Sequence, residues 1–195
     1  NSLSLLLSTS GSTGSPKFVR ISNENLLYNT KSIIDYLKIK SSHRAITTLP
    51  MNYTYGLSVV NTHLYAGATI ILTDDNLVNK NFWSLLKKTK ATSLAGVPYI
   101  YEILNKLKLY EMNLPHLKYF TQAGGKLSDN LILKFADYCL KNNKKFFVMY
   151  GQAEATARMA YLPFKYIFKK IGSIGKPLKN CRIQIYDESG KSIKA

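Results

Sequence analysis

Apolar and polar positions follow two different periods along the chain, and the switches between them mark the elements. An apolar run over 3–7 and a β-prone run over 18–21 read as two strands joined by a loop of small and hydroxylated residues. Leu26, Leu27, Ile33, Ile34 and Leu37 then recur at roughly helical spacing, behind the polar stretch 22–25, which offers an N-cap. Further strands are expected at 45–49, 68–72, 92–95, 117–121 and 146–149, and helices over 55–64, 81–90, 99–109 and 129–141. Pro98 suits the first turn of one helix; Ser128 and Asp129 suit the start of another. This alternation predicts an α/β fold with a mainly parallel sheet layered with helices. Beyond Pro163 the period is lost, 181–186 alternates like an edge strand, and 187–190 reads as a turn. The expected layout is one domain over 1–195, with 164–195 as its irregular part.

Composition narrows the class. The 195 residues are 46% hydrophobic and 19% charged, which suits a globular fold. No apolar run approaches the roughly 20 residues that span a bilayer, and 3–7 lacks the basic start and length of a signal peptide. Lys and Arg total 27 against 11 Asp and Glu, a formal charge of +16. With 14 tyrosines, that charge allows a basic nucleic-acid-binding module. The lysines are scattered, however, and several close predicted helices, where cations suit the dipole; this favours a solvated surface over a nucleic-acid groove. Cys139 and Cys181 lack metal-ligand spacing, so the reducing cytoplasm is expected. His43, His63 and His116 do not cluster and read as packing or surface residues.

The loop 8–17 carries the first chemistry. Gly11 and Gly14 permit backbone angles closed to other residues, so successive N–H groups can turn inward around an anion. Ser and Thr hydroxyls add donors, and Lys17 adds charge at the exit. It is not the common P-loop, which needs Gly-Lys-Ser/Thr followed by a helix; here Pro16 precedes the lysine and a strand follows. Alone, the loop also fits a flexible Gly/Ser linker. Residues Thr9, Ser10, Gly11, Ser12, Thr13, Gly14, Ser15, Pro16 and Lys17 fit throughout the phosphate-binding signature of the adenylate-forming superfamily. That superfamily contains acyl-CoA synthetases, peptide-synthetase adenylation domains and luciferases. Many members continue with Gly, where this chain has Phe18.

Other segments resemble the same superfamily, in its order. Tyr150, Gly151, Gln152, Ala153 and Glu154 follow a predicted strand. Tyr150 offers a flat face for a purine, and Glu154 is a hard oxygen ligand of the kind Mg²⁺ takes beside substrate phosphates. Without the resemblance, the segment reads as a capping turn with a core tyrosine. It is similar to the family's Tyr-Gly-x-Thr-Glu, which implies that Tyr150 stacks on adenine and Glu154 holds Mg²⁺. Ala153 replaces the usual Thr, removing a donor worth roughly 1.5–3 kcal/mol beside a charged group. The segment 49–57 resembles the one that gates the acyl pocket, with Tyr53 at the gate. The turn 121–126, with Ala123, Gly124, Gly125 and Lys126, resembles the glycine-rich turn along adenine and the acyl pocket. Val97-Pro98 resembles the pair before an acyl-side helix, and 172–177 resembles a Gly-x-x-Gly segment after the catalytic core.

The resemblance implies ATP-dependent carboxylate activation, giving an acyl-adenylate and pyrophosphate, in an acid–thiol ligase. A thioester with CoA or carrier-protein phosphopantetheine usually follows. It assigns Lys17 and Glu154 to catalysis. Nucleotide binding falls to the 9–14 loop with Lys17, to Gly124, Gly125 and Lys126, and to Tyr150, Gly151, Gln152 and Ala153. The acyl pocket falls to Tyr53, Val97 and Ala123. ATP and Mg²⁺ are the implied cofactors, a small carboxylate the implied substrate. Family members also carry a downstream ribose-binding Asp and a small C-terminal domain with an essential lysine, and neither has a match before Ala195. With Asn1 standing directly before a strand, the chain is therefore expected to be the central part of the large domain and not to turn over alone. Ala153 leaves a non-catalytic nucleotide-binding relative as an alternative.

Overall fold

The computed structural model describes residues 2–8 and 17–193. In chain order the elements are β1 (Leu3–Ser8), β2 (Phe18–Ser22), α1 (Asn23–Leu37), β3 (Arg44–Ile46), α2 (Thr54–Tyr65), β4 (Thr69–Ile71), α3 (Lys80–Lys88), β5 (Ser93–Gly96), α4 (Pro98–Lys106), β6 (Tyr119–Gln122), α5 (Asp129–Lys141), β7 (Lys145–Tyr150), β8 (Ala160–Leu162), β9 (Lys176–Pro177), β10 (Ile185–Tyr186) and β11 (Ser192–Ile193). The caps fall where the side chains predict. Ser22 Oγ accepts from the Asn25 amide at 3.1 Å at the start of α1, and Ser128 Oγ from the Leu131 amide at 3.4 Å at the start of α5. Pro98 opens α4, and Lys87 and Lys88 close α3.

The central sheet has the order β4-β3-β5-β6-β7-β8-β9. Its pairs from β4 through to β7 are parallel, and β8 and β9 join antiparallel. Alternate strand residues face opposite layers. Leu94, Phe120 and Phe146 point into a large core with Phe82 and Leu86 of α3, Tyr101 and Leu104 of α4, and Phe135 of α5. Their neighbours Ala95, Tyr119 and Phe147 point into a second core with Tyr55 and Val59 of α2 and Tyr36 of α1. Right-handed crossovers account for this division. The step from β3 through α2 to β4 runs one way along the sheet, and every later parallel step runs the other way.

The two ends of the chain refine the picture, and one expectation needs correction. The strands flanking the hydroxyl loop pair antiparallel, Ser8 opposite Phe18, but as a separate two-stranded sheet. The alternating stretch 181–186 is not an edge of the main sheet: only Ile185–Tyr186 is strand, paired with Ser192–Ile193 in an exposed hairpin. A turn explains the pairing, because Asp187 Oδ1 accepts from the amides of Ser189 and Lys191 and folds the chain back on itself. The edge is β9, where Pro177 fits because an edge strand need not donate outward. The aperiodic tail thus contributes β9, and β8 just before it, to the sheet.

Two histidines are buried as packing residues. His43 accepts from the Lys40 amide through Nδ1 at 3.4 Å, and His63 bridges the Val59 carbonyl and the Tyr119 hydroxyl. Burial, with lesser repulsion from Lys118, His63 and Lys40, holds His43 down to about 4. Burial also lowers His63, opposed by its bond to Val59. An unfolded histidine titrates near 6.5, so the unfolded chain takes up these protons first as pH falls. The contribution is therefore complete above about pH 6.5 and is lost progressively toward pH 4. Urea melts at pH 7.5, 6 and 4.5 should show falling stability, and His43→Asn, which keeps an acceptor for Lys40, should flatten that slope. An unchanged slope would remove His43 from the account.

Candidate active site

In an open parallel sheet, ligands collect outside the carboxyl ends of the strands, where successive connections diverge. Here that point lies between β3 and β5, and Thr48 Oγ1 ties the exit of β3 to the Ala95 carbonyl on β5. Tyr53 follows β3 and caps α2, with its amide donating to the Pro50 carbonyl at 3.1 Å. Val97 follows β5, and Ala123 and Gly124 follow β6. The structure brings these together. Gly124 has φ +80°, and a Cβ there would stand 2.5 Å from the Tyr53 hydroxyl and 3.0 Å from Val97 Cγ1. Ala123 is buried beneath them, while Gly124, Gly125, Lys126 and Tyr53 are exposed. Buried Gln122 donates to the Gly125 carbonyl at 2.8 Å and holds the turn.

The next strand supplies the second half. Two residues past the paired Gln122–Val148 rung stand Gly124, beyond the end of β6, and Tyr150, the last residue of β7. Tyr150, Gln152 and Glu154 are exposed, and Ala153–Ala155 forms a single 3₁₀ turn. The strand ends at Tyr150, one residue later than expected, so the tyrosine belongs to β7 itself. The segment up to Met159 is the loop of an antiparallel hairpin with β8. It closes through Met159 N to Tyr150 O at 2.9 Å and Ala157 N to Gln152 O at 3.2 Å. Thr156 and Ala157 take positive φ, +57° and +87°, a costly arrangement for residues with a Cβ. β2 packs against the Ala153–Ala155 turn, and Asn29 of α1 donates to the Arg158 carbonyl at 2.7 Å. Lys17, exposed, directly precedes β2. Thr9, Ser10, Gly11, Ser12, Thr13 and Gly14 lie outside the described residues.

Among the described residues no group of three or more His, Cys, Asp or Glu gathers as a metal site. A lone exposed Glu154 still fits Mg²⁺, which keeps waters and takes one or two carboxylates beside substrate phosphates. The first residue that sequence reasoning missed is Arg158, 3% exposed, with its guanidinium 3.9 Å from the Tyr55 ring. Its signal was a single cation inside the apolar run 157–162. The second is Thr121. Its hydroxyl accepts from Tyr55 at 2.7 Å and its carbonyl from Tyr101 at 2.8 Å, joining both helix layers at one strand residue. Burial pushes the Tyr55 hydroxyl up to about 12 against the pull of Arg158, so it is a neutral donor.

Known proteins share this fold and are similar in sequence along its length. The family described as AMP-binding enzyme matches residues 1–195. Indoleacetate–CoA ligase of Aromatoleum aromaticum is 26% identical over 192 residues, covering 97% of this chain and 37% of that protein. Bacitracin synthase 3 of Bacillus licheniformis is 30% identical over 193 residues, covering 96% of this chain and 3% of that protein. The O-succinylbenzoate coenzyme A synthetase of Bacillus subtilis, solved with ATP and magnesium ion, superposes with a TM-score of 0.82 at 26% identity. That match covers 97% of this chain and 38% of the solved one. The chain therefore spans well under half the length of these relatives.

Proposed function

Since the chain belongs to the AMP-binding enzyme family, we propose that its strand ends form the nucleotide- and carboxylate-binding rim of an enzyme that activates a carboxylic acid with ATP. The observation that carries this reading is the meeting of Tyr53, Val97 and Gly124 at the sheet's switch point, beside the Tyr150–Glu154 segment on the neighbouring strand. In the reaction a carboxylate oxygen bonds to the α-phosphorus of ATP, the α–β bridging bond breaks, and pyrophosphate leaves with the electron pair. No side chain has to give or take a proton. The protein's task is to align two anions and offset their charge. Lys17 and the 9–14 loop would hold the outer phosphates, and Glu154 would hold Mg²⁺, which neutralises charge between the phosphates when bound. Tyr150 and the 123–126 turn would line the base, and Tyr53, Val97 and Ala123 the acyl end. The acyl group then passes to the thiol of CoA or of a carrier protein. The 195-residue chain spans 37–38% of such relatives, so by itself it is expected to bind nucleotide while sustaining far less pyrophosphate–ATP exchange than they do.

Calorimetric titration of the chain with ATP, with and without Mg²⁺, tests this. Glu154→Gln should abolish the magnesium-dependent part of the affinity. Ala153→Thr, which restores a hydroxyl beside the phosphates, should tighten binding about tenfold. No ATP binding, with tight salt-sensitive oligonucleotide binding instead, would replace this reading with a nucleic-acid module.

A further inference from the structure

Beneath the rim lies a buried cation for which the adenylation step itself has no role. A cavity of about 20 Å³ lies between α1 and α2 on one side and β3, β5 and β6 on the other. That is room for one compact group, since a single water needs about 10–15 Å³. Arg158 lines it and is 3% exposed. One guanidinium nitrogen donates to Ser58 Oγ at 3.2 Å, the plane lies against Tyr55, and Nε has no hydrogen-bond partner. The ion pairs among the described residues do not include Arg158. The rest of the polar wall is Ser58, Thr62, Ser93, Thr121 and the neutral pair His63–Tyr119, with no carboxylate. A guanidinium is permanently charged, and a buried charge is costly unless something opposite meets it.

We propose that this cavity is a binding site for a compact anion, held by the Nε–H of Arg158 with hydroxyls of the surrounding wall. Two sources share that chemistry: a free halide, or the far carboxylate of a dicarboxylic acid. The second follows from position. Ala95 and Thr121 of the cavity wall stand two residues short of Val97 and Ala123 on the same strand faces, so the cavity continues inward from the proposed acyl end. The carboxylate source rests on the carboxylate-activation reading; the halide source does not.

The test is thermal melting of the 195-residue chain at matched ionic strength. Potassium chloride and bromide are compared with potassium gluconate, whose anion is too bulky for the cavity, and succinate is compared with butyrate in gluconate buffer. A stabilisation that saturates with halide, and whose half-saturating concentration rises at least about tenfold in Arg158→Met, establishes a free-ion site. The same behaviour with succinate, and with neither butyrate nor halide, establishes a substrate subsite. Equal responses of both proteins to every salt overturn the proposal. Should Arg158→Met fail to fold, bromide-soaked crystals of the unaltered chain decide. Anomalous density beside Nε supports the site. Its absence, without a succinate-specific shift, refutes it.

Discussion

Replacing Gly151 with alanine is expected to lower magnesium–ATP affinity about a hundredfold and to cost roughly 1–3 kcal/mol of stability. A Cβ at this position runs into the Ala157 carbonyl oxygen and stands 2.7 Å from its carbon and 2.8 Å from Arg158 Cα. Every one of these atoms is main chain, so no rotamer change relieves the contact. The hairpin loop must open, and its closing bonds, Met159 to Tyr150 and Ala157 to Gln152, hold the residues assigned to the base and the metal. A displacement of about 1 Å at such groups is enough for a hundredfold loss. Titration with magnesium–ATP beside a thermal melt separates the two effects. A variant that binds like the unaltered chain would show that the loop is not preorganised.

Tyr101→Ala carries the largest expected loss of stability, about 3–5 kcal/mol, or on the order of 10 °C in Tm for a chain this size. The residue has no exposed surface, its ring meets Phe135 edge-on at 4.9 Å, and Phe146 lies 5.3 Å away. Its hydroxyl donates to the Thr121 carbonyl. Tyr101→Phe keeps the ring and loses only that bond, so it should cost about 1 kcal/mol. Urea melts of the two variants distinguish packing from hydrogen bonding. Equal losses would mean that the hydroxyl, and not the ring, secures α4.

Much of this was legible before any coordinates. The polar stretch 22–25, Pro98 and Ser128 announce helix starts because their effects are local, and the α/β alternation follows from period alone. The motif segments could be placed after strands for the same reason. The sequence was mute where the deciding partner is distant. Tyr53 and Gly124 are 71 positions apart, and only the divergence of connections around β3 and β5 brings them face to face. Ile185 and Tyr186 alternate like sheet residues, yet the turn at 187–190 pairs them with Ser192–Ile193 outside the main sheet. Arg158 stands out as a cation within an apolar run, but nothing in that run says what it is buried against. Its surroundings come from α2, one hundred residues earlier at Ser58.

Thr121 sets a rule for how this protein can change over generations. One layer reaches its hydroxyl through Tyr55 and the other its carbonyl through Tyr101. A lineage that widens the proposed pocket from the α2 side shifts the strand on which α4 is anchored, and so must adjust a helix on the opposite face of the sheet. Such a change should leave its trace as paired substitutions on opposite sides of the sheet.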